Sequence, residues 1–201
     1  MLNDAVDLSS LHRALVIKLR HHGDVLLTSP VFQVLKNHAP HLEIDALVYR
    51  DTREMLTAHP AISEVHTIDR EWKRLNPFSQ GAAEWKLLRA VLARRYDLVV
   101  HLTNHPRGAW LTRLIAPKVS VAQRAQGINE GRDSRLWKKS FTHTYPTPLT
   151  THRHTVESNL DALRRIGIYP SAEEKKLVLV PGLDAEKKVD QLLALHNVAP
   201  K

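Results

Sequence analysis

Apolar positions along this chain switch between two spacings, and the switches mark out its elements. Ala14–Leu19 is an apolar run interrupted only by Lys18, as expected of a strand buried on both faces. It breaks at the polar turn Arg20-His21-His22-Gly23-Asp24. Val25, Leu26, Val31, Val34 and Leu35 then recur at helical spacing, predicting a helix over Val25–His38. Glu43–Tyr49 reads as a second strand. Thr52–Ala58 reads as a short helix stopped before Pro60, and Val65–Ile68 as a third strand. Asp69–Gly81, with Asn76-Pro77, Ser79 and Gly81, reads as a loop. Ala82–Arg95 returns to helical spacing at Trp85, Leu88, Val91 and Leu92, Asp97–Leu102 is a fourth strand, Arg107–Ile115 a helix, and Val119–Ala122 a weak fifth strand.

From Gln123 to Thr151 the periodicity dissolves into a basic stretch with glycines and prolines, read as a long surface loop. His154–Gly167 resumes as a helix ended by its glycine. A short apolar run, Leu177–Val180, and a helical stretch, Asp184–His196, complete the chain. Strands separated by helices imply an α/β fold: a doubly wound parallel sheet with right-handed crossovers and helices on both faces. In such sheets ligands bind at the carboxyl ends of the strands, where the turn at Gly23-Asp24 falls.

Composition refines this picture. Among 201 residues, 43% are hydrophobic and 25% charged, which is globular rather than disordered. A chain of this size buries about 70% of the surface its unfolded form exposes. There is no cysteine, so disulfides and thiolate metal sites are excluded. No apolar stretch approaches the roughly 18 residues of a membrane span, and the amino terminus lacks the pattern of a signal peptide. The expected location is cytoplasmic. Lysine and arginine outnumber acidic residues 29 to 21, a net charge of +8 that favours a polyanionic partner.

Several chemistries are missing. No G-x-G-x-x-G follows the first strand, and no P-loop, H-E-x-x-H, EF-hand, G-x-S-x-G or D-x-D occurs, so no cofactor is expected. His21-His22 and His152-x-His154 lack cysteines or organised carboxylates beside them, and no metal site is expected either. Asp24 is the better candidate. Either it caps the helix through backbone N–H groups, or it is an ionised carboxylate held at a helix amino end as a positioned base. Trp72, Trp85, Trp110 and Trp137 either stack on sugars or fill core, with core expected for Trp85 on its apolar helix stripe.

The first turn, K-x-R-x-x-G-D-V-x-L-x-x-P (Lys18, Arg20, Gly23, Asp24, Val25, Leu27, Pro30), resembles the opening of the bacterial lipopolysaccharide core heptosyltransferases. The likeness continues through Leu47–Thr52, Tyr96–Thr103, Trp137–His143 and His154–Leu160, and covers roughly residues 12 to 198. The Trp137–His143 block and Tyr49–Thr52 resemble the heptosyltransferase III type. The resemblance implies a Rossmann-like domain, the amino-terminal half of a GT-B glycosyltransferase. Residues 1–170 are then the acceptor-binding domain, and residues 171–201 a connector towards a missing carboxy-terminal domain that holds ADP-heptose. It implies Asp24 as the catalytic base, taking a proton from an acceptor hydroxyl during a single inverting displacement. Lys18, Arg20, Gly23, Arg50, Lys138, Lys139, His154 and Glu157 are implied substrate contacts, suited to an anionic inner-core glycolipid. Lys138 and Lys139 are equally well read as a solvated basic loop, and His154 with Glu157 as a helix amino-terminal pair. Peripheral contact with the cytoplasmic face of the inner membrane is expected, nucleic acid is not, and the isolated chain is expected to be inactive. The competing class is a non-catalytic basic α/β module for nucleic acid or an anionic membrane surface. The sequence disfavours it, because the basic residues gather at strand-end loops and no aromatic-plus-basic stacking pattern accompanies them.

Overall fold

The computed structural model describes residues 4–124, 135–146 and 153–196. Six strands form one parallel sheet: β1 (Arg13–Lys18), β2 (Glu43–Tyr49), β3 (Glu64–Ile68), β4 (Leu98–His101), β5 (Val119–Gln123) and β6 (His143–Tyr145). Their spatial order is β3-β2-β1-β4-β5-β6, with every neighbouring pair parallel. This is the doubly wound order in which the chain reverses its direction of travel between β1 and β4. Helices α1 (His22–Leu26), α2 (Ser29–His38), α3 (Pro77–Ala93), α4 (Pro106–Ile115), α5 (Arg135–Ser140), α6 (Thr155–Arg165) and α7 (Leu183–Leu195) complete the described elements, with 3-10 turns between some of them.

Strand parity divides the core. Ala14, Val16, Ile44, Ala46, Val48, Val100 and Val121 face α2 and α6, where Val31, Val34, Leu35, Leu160 and Leu163 close a fully buried layer. Leu15, Ile17, Leu47 and Val99 face the other way, towards Val91 of α3 and partly buried Leu87, Leu111 and Ile115. This second layer is thinly covered: Val91 is the only fully buried residue of α3. Trp85 is 59% exposed, so the core position expected for it is corrected. Its stripe is apolar, but no described element lies over it. Trp137 is the buried tryptophan, packed with Phe141 and His101.

Several element boundaries differ from the sequence reading. The first helix begins at His22, and a break at Leu27-Thr28 divides it, the Thr28 hydroxyl bonding back to the Val25 carbonyl. In the expected loop Asp69–Gly81, Asp69 caps a 3-10 turn at Arg70–Arg74, and Asn76 accepts from the Ser79 N–H to start α3 with Pro77 at its first position. Within the expected loop Gln123–Thr151 lie α5 and the edge strand β6; residues 125–134 and 147–152 are outside the described set. Thr52–Ala58 is replaced by a 3-10 helix over Arg50–Met55. The segment expected as a connector begins bound to the domain: Lys175 pairs with Glu157, and the Val178 N–H donates to Ser29. No residue of α7 is buried.

Candidate functional site

β1 delivers Lys18 to the carboxyl edge of the sheet beside β4, at the reversal point of the strand order. The residue shares the parity of Ala14 and Val16, so its side chain runs towards α6 and is only 6% exposed. Its ammonium donates to the Asn159 side-chain oxygen at 2.9 Å and to the Leu102 carbonyl at 3.2 Å. Asn159 is fixed in turn by donating to the Leu27 carbonyl at 2.9 Å. Burial lowers the Lys18 pKa to about 8; the negative charge of Asp24 works against that shift and the positive charge of Arg20 adds to it. At neutral pH the group is therefore still mostly an ammonium.

Asp24 occupies the first turn of α1, half-buried, while His21 is the cap residue and makes no side-chain cap bond. The capping role is thus not where Asp24 stands. It lines a cavity of about 320 Å³ together with Lys18, Arg20, Thr103, Ser158 and Asn159. A carboxylate, two cations and several neutral hydrogen-bonding groups meet there at the ends of β1 and β4, an arrangement suited to a polyhydroxylated, negatively charged ligand. A second polar cavity of about 270 Å³ adjoins it, sharing Arg20, Thr103 and Asn104 and adding Arg70, Tyr49 and His105. Arg70 is stacked over Tyr49, 4.2 Å from the ring centre, and pairs with Asp51 at 3.0 Å.

The other expected contacts do not converge on Asp24. Arg50 is held by Asp69 at 3.0 Å and lines neither cavity; Arg70 lines the second one. Lys138 and Lys139 are exposed on α5, which packs on α4. His154 is the cap of α6, its ring nitrogen accepting from the Val156 N–H at 3.3 Å. Glu157 is engaged by Lys175 at 2.9 Å and by Arg164, and these cations hold its carboxyl below the usual range. His154 and Glu157 therefore serve the helix end, and neighbouring Thr155, Ser158 and Asn159 turn towards the cavity. Gly23 is exposed, and an added Cβ would meet nothing within 4 Å, so no conformational or steric demand explains the glycine.

Among the described residues one group has metal-ligand geometry: Asp45, Glu64 and His66, with donor atoms within 4.8 Å of one another. It lies at the opposite, amino-terminal edge of the sheet. Both oxygens of Asp45 already accept from Arg94, at 2.7 and 3.1 Å, and Tyr96 donates a further bond. This is an ion network around the buried Asp45 that joins β2, β3 and the segment between α3 and β4.

Comparison with known proteins adds to the geometry. No family model matches the chain. It is 36% identical to lipopolysaccharide heptosyltransferase 3 of Escherichia coli K12 over 150 residues. A second E. coli lipopolysaccharide heptosyltransferase 3 is 34% identical over 169 residues. The chain is a relative of the lipopolysaccharide heptosyltransferases. The alignments take in 75% and 79% of the chain but 41% and 47% of those proteins, so it spans about half the length of the curated heptosyltransferases it matches. Lipopolysaccharide heptosyltransferase 1 of Pseudomonas aeruginosa is 26% identical over 180 residues. In fold, the chain superposes on a glycosyl transferase family 9 structure from Veillonella parvula with a TM-score of 0.77 at 20% identity, covering 99% of the chain and 53% of that protein. E. coli heptosyltransferase WaaC, solved with ADP-2-deoxy-2-fluoro heptose, gives 0.64 at 21% identity, over 80% of the chain and 50% of WaaC. The fold is thus a Rossmann-like α/β domain that matches about half of each of these structures.

Asn159, Ser158, Thr155 and Thr103 are among the cavity residues that sequence reasoning passed over. A signal for Asn159 exists. It lies on the apolar stripe of α6 with Val156, Leu160 and Leu163, where a buried amide requires partners. Thr103 directly follows a buried strand, at the edge where ligands bind.

Proposed function

We propose that this chain is the acceptor-binding half of an inverting heptosyltransferase of lipopolysaccharide core synthesis, with Asp24 as its general base. The observation that carries this reading is that Asp24 and the buried Lys18 share one polar cavity at the sheet's reversal point, in a chain 36% identical to a lipopolysaccharide heptosyltransferase. An acceptor hydroxyl seated in the cavity hydrogen-bonds to the Asp24 carboxylate. As its oxygen attacks the anomeric carbon of the donor heptose, the proton passes to Asp24. The new C–O bond forms opposite the bond to the diphosphate, the electron pair of that bond leaves with ADP, and the anomeric centre inverts. The Lys18 ammonium keeps a positive charge in the cavity beside Asp24. Arg20 and Arg70 offer charge and forked donors to acidic groups of an inner-core glycolipid. The donor sugar is bound by a second domain, with residues 1–170 forming the acceptor domain and residues 171–201 the connector between the two. Peripheral association with the cytoplasmic face of the inner membrane follows from the lipid nature of the acceptor.

The test uses the chain itself. Titrated with heptose-deficient core oligosaccharide and, separately, with duplex DNA at one ionic strength, it is expected to prefer the oligosaccharide and to lose that preference with Arg20→Ala. Preference for DNA would replace this reading with that of a nucleic-acid module. With ADP-heptose and acceptor together, the isolated chain is expected to show no transfer; turnover by it alone contradicts the division into halves.

A further inference from the structure

The sheet face opposite the catalytic cavity's helix carries an open apolar cleft of about 360 Å³ between α3 and α4. Leu19, Leu47 and Ile68 form its floor, and Trp85, Leu88, Trp110 and Leu114 are among its walls. Trp110 and Leu114 are 55% and 56% exposed, and nearby Phe78 is 91% exposed. Apolar surface gathered in this way marks a binding groove more often than a solvated face.

The cleft is not apolar throughout. Arg107 stands on its rim, paired with Glu84 at 2.9 Å. Leu19 lines both the cleft and the polar cavity that holds Arg20, Arg70 and His105. Arg20 is shared in turn with the cavity of Asp24. The hydrocarbon-lined cleft and the cation-lined cavity are therefore neighbours that meet at Leu19. That pairing is complementary to a molecule with an alkyl tail and an anionic head. A protein partner has no need of cations gathered at one end of the groove, and a bilayer surface cannot enter a cleft sunk to the sheet.

We propose that the α3–α4 cleft binds the alkyl chain of an anionic amphiphile whose head group lies against Arg20 and Arg70. The natural amphiphile being the acceptor glycolipid rests on the proposed function; the chemistry of the cleft does not.

The test is calorimetric titration of the 201-residue chain with n-alkyl phosphates of increasing length, below their micelle concentrations, with tryptophan emission as a second readout. Affinity is expected to rise about fourfold per methylene, the factor equivalent to the roughly 0.8 kcal/mol of a buried methylene, and to level off when the cleft is full. Leu114→Asp, at an exposed position, is expected to reduce the rise to less than about twofold per methylene. Arg20→Ala is expected to weaken every length by one common factor and leave the slope unchanged. Affinity independent of chain length overturns the inference, as does an unaltered slope in the Leu114→Asp chain. Binding to phosphatidylglycerol vesicles without binding of any alkyl phosphate overturns it in favour of bilayer docking. Self-association that abolishes alkyl binding overturns it in favour of a second copy covering the face. Alkyl phosphates carry no sugar, so failure here leaves the transferase reading standing, and failure to bind oligosaccharide leaves the cleft standing.

Discussion

Lys18 carries a charge in a place where charge is costly, and this makes the folded chain sensitive to pH in a definite direction. Its folded pKa is about 8, against an ordinary value of 10.5. The folded state thus releases this proton before the unfolded state does. Stability rises with pH between those two values and falls again as pH drops back through 8. Linkage between the two pKa values gives a gain of about 1.3 kcal/mol in unfolding free energy from pH 7 to pH 9. Other groups titrate too: burial raises the hydroxyls of Tyr96 and Tyr145 above their usual range, and their contribution is lost only at higher pH. Comparison with Lys18→Met removes them, since they are common to both chains. The acceptors that Met leaves without a donor, Leu102 and Asn159, add an offset that does not change with pH. Urea unfolding of both chains at pH 7 and pH 9 is expected to show the parent gaining about 1.3 kcal/mol more than the variant. The Lys18 side-chain carbon signal is expected to titrate near 8 in the same range. Parallel pH dependence in the two chains, with a midpoint above 10, would refute the buried ammonium.

Two glycines in helices are expected to respond oppositely to alanine. At Gly108 of α4 a Cβ would lie 1.9 Å from the His101 ring, so Gly108→Ala is expected to cost about 1–3 kcal/mol despite its better helix propensity. At Gly81 of α3 a Cβ meets nothing within 4 Å, and Gly81→Ala is expected to gain up to about 1 kcal/mol; thermal melts of the pair distinguish the two. Arg94→Met leaves the fully buried Asp45 without its ion partner and is expected to cost about 3–5 kcal/mol by denaturant unfolding. Asp24→Asn, in a protein joined to a donor half, is expected to fold with unchanged melting and to lose transfer by about 10²–10⁴; unfolding on that change would point to a structural carboxylate instead.

The α/β class, the first five strands and the place of the Gly23-Asp24 turn were legible in the amino-acid order. Each depends on local periodicity: a buried parallel strand is a run of apolar residues, and an amphipathic helix repeats every three to four. Strand β6 was not legible, because His143–Tyr145 is three residues long and gains its identity only by pairing with β5. The start of α3 was hidden because Asn76-Pro77 reads equally as a loop and as a helix cap with its first residue, and only the bond from Ser79 decides.

The sequence by itself determined that a carboxylate, a lysine and an arginine fall within seven residues at one strand end, since chain connectivity alone keeps them close. Only the tertiary structure decided which distant groups join them. Asn159 reaches Lys18 across 141 positions of chain, while Arg50 and Glu157 are drawn into ion pairs elsewhere. It also decided that Trp85 is exposed among the described residues. A side chain's spacing says which face of its helix it occupies. Whether anything packs on that face depends on elements remote in sequence, and no local pattern encodes their arrival.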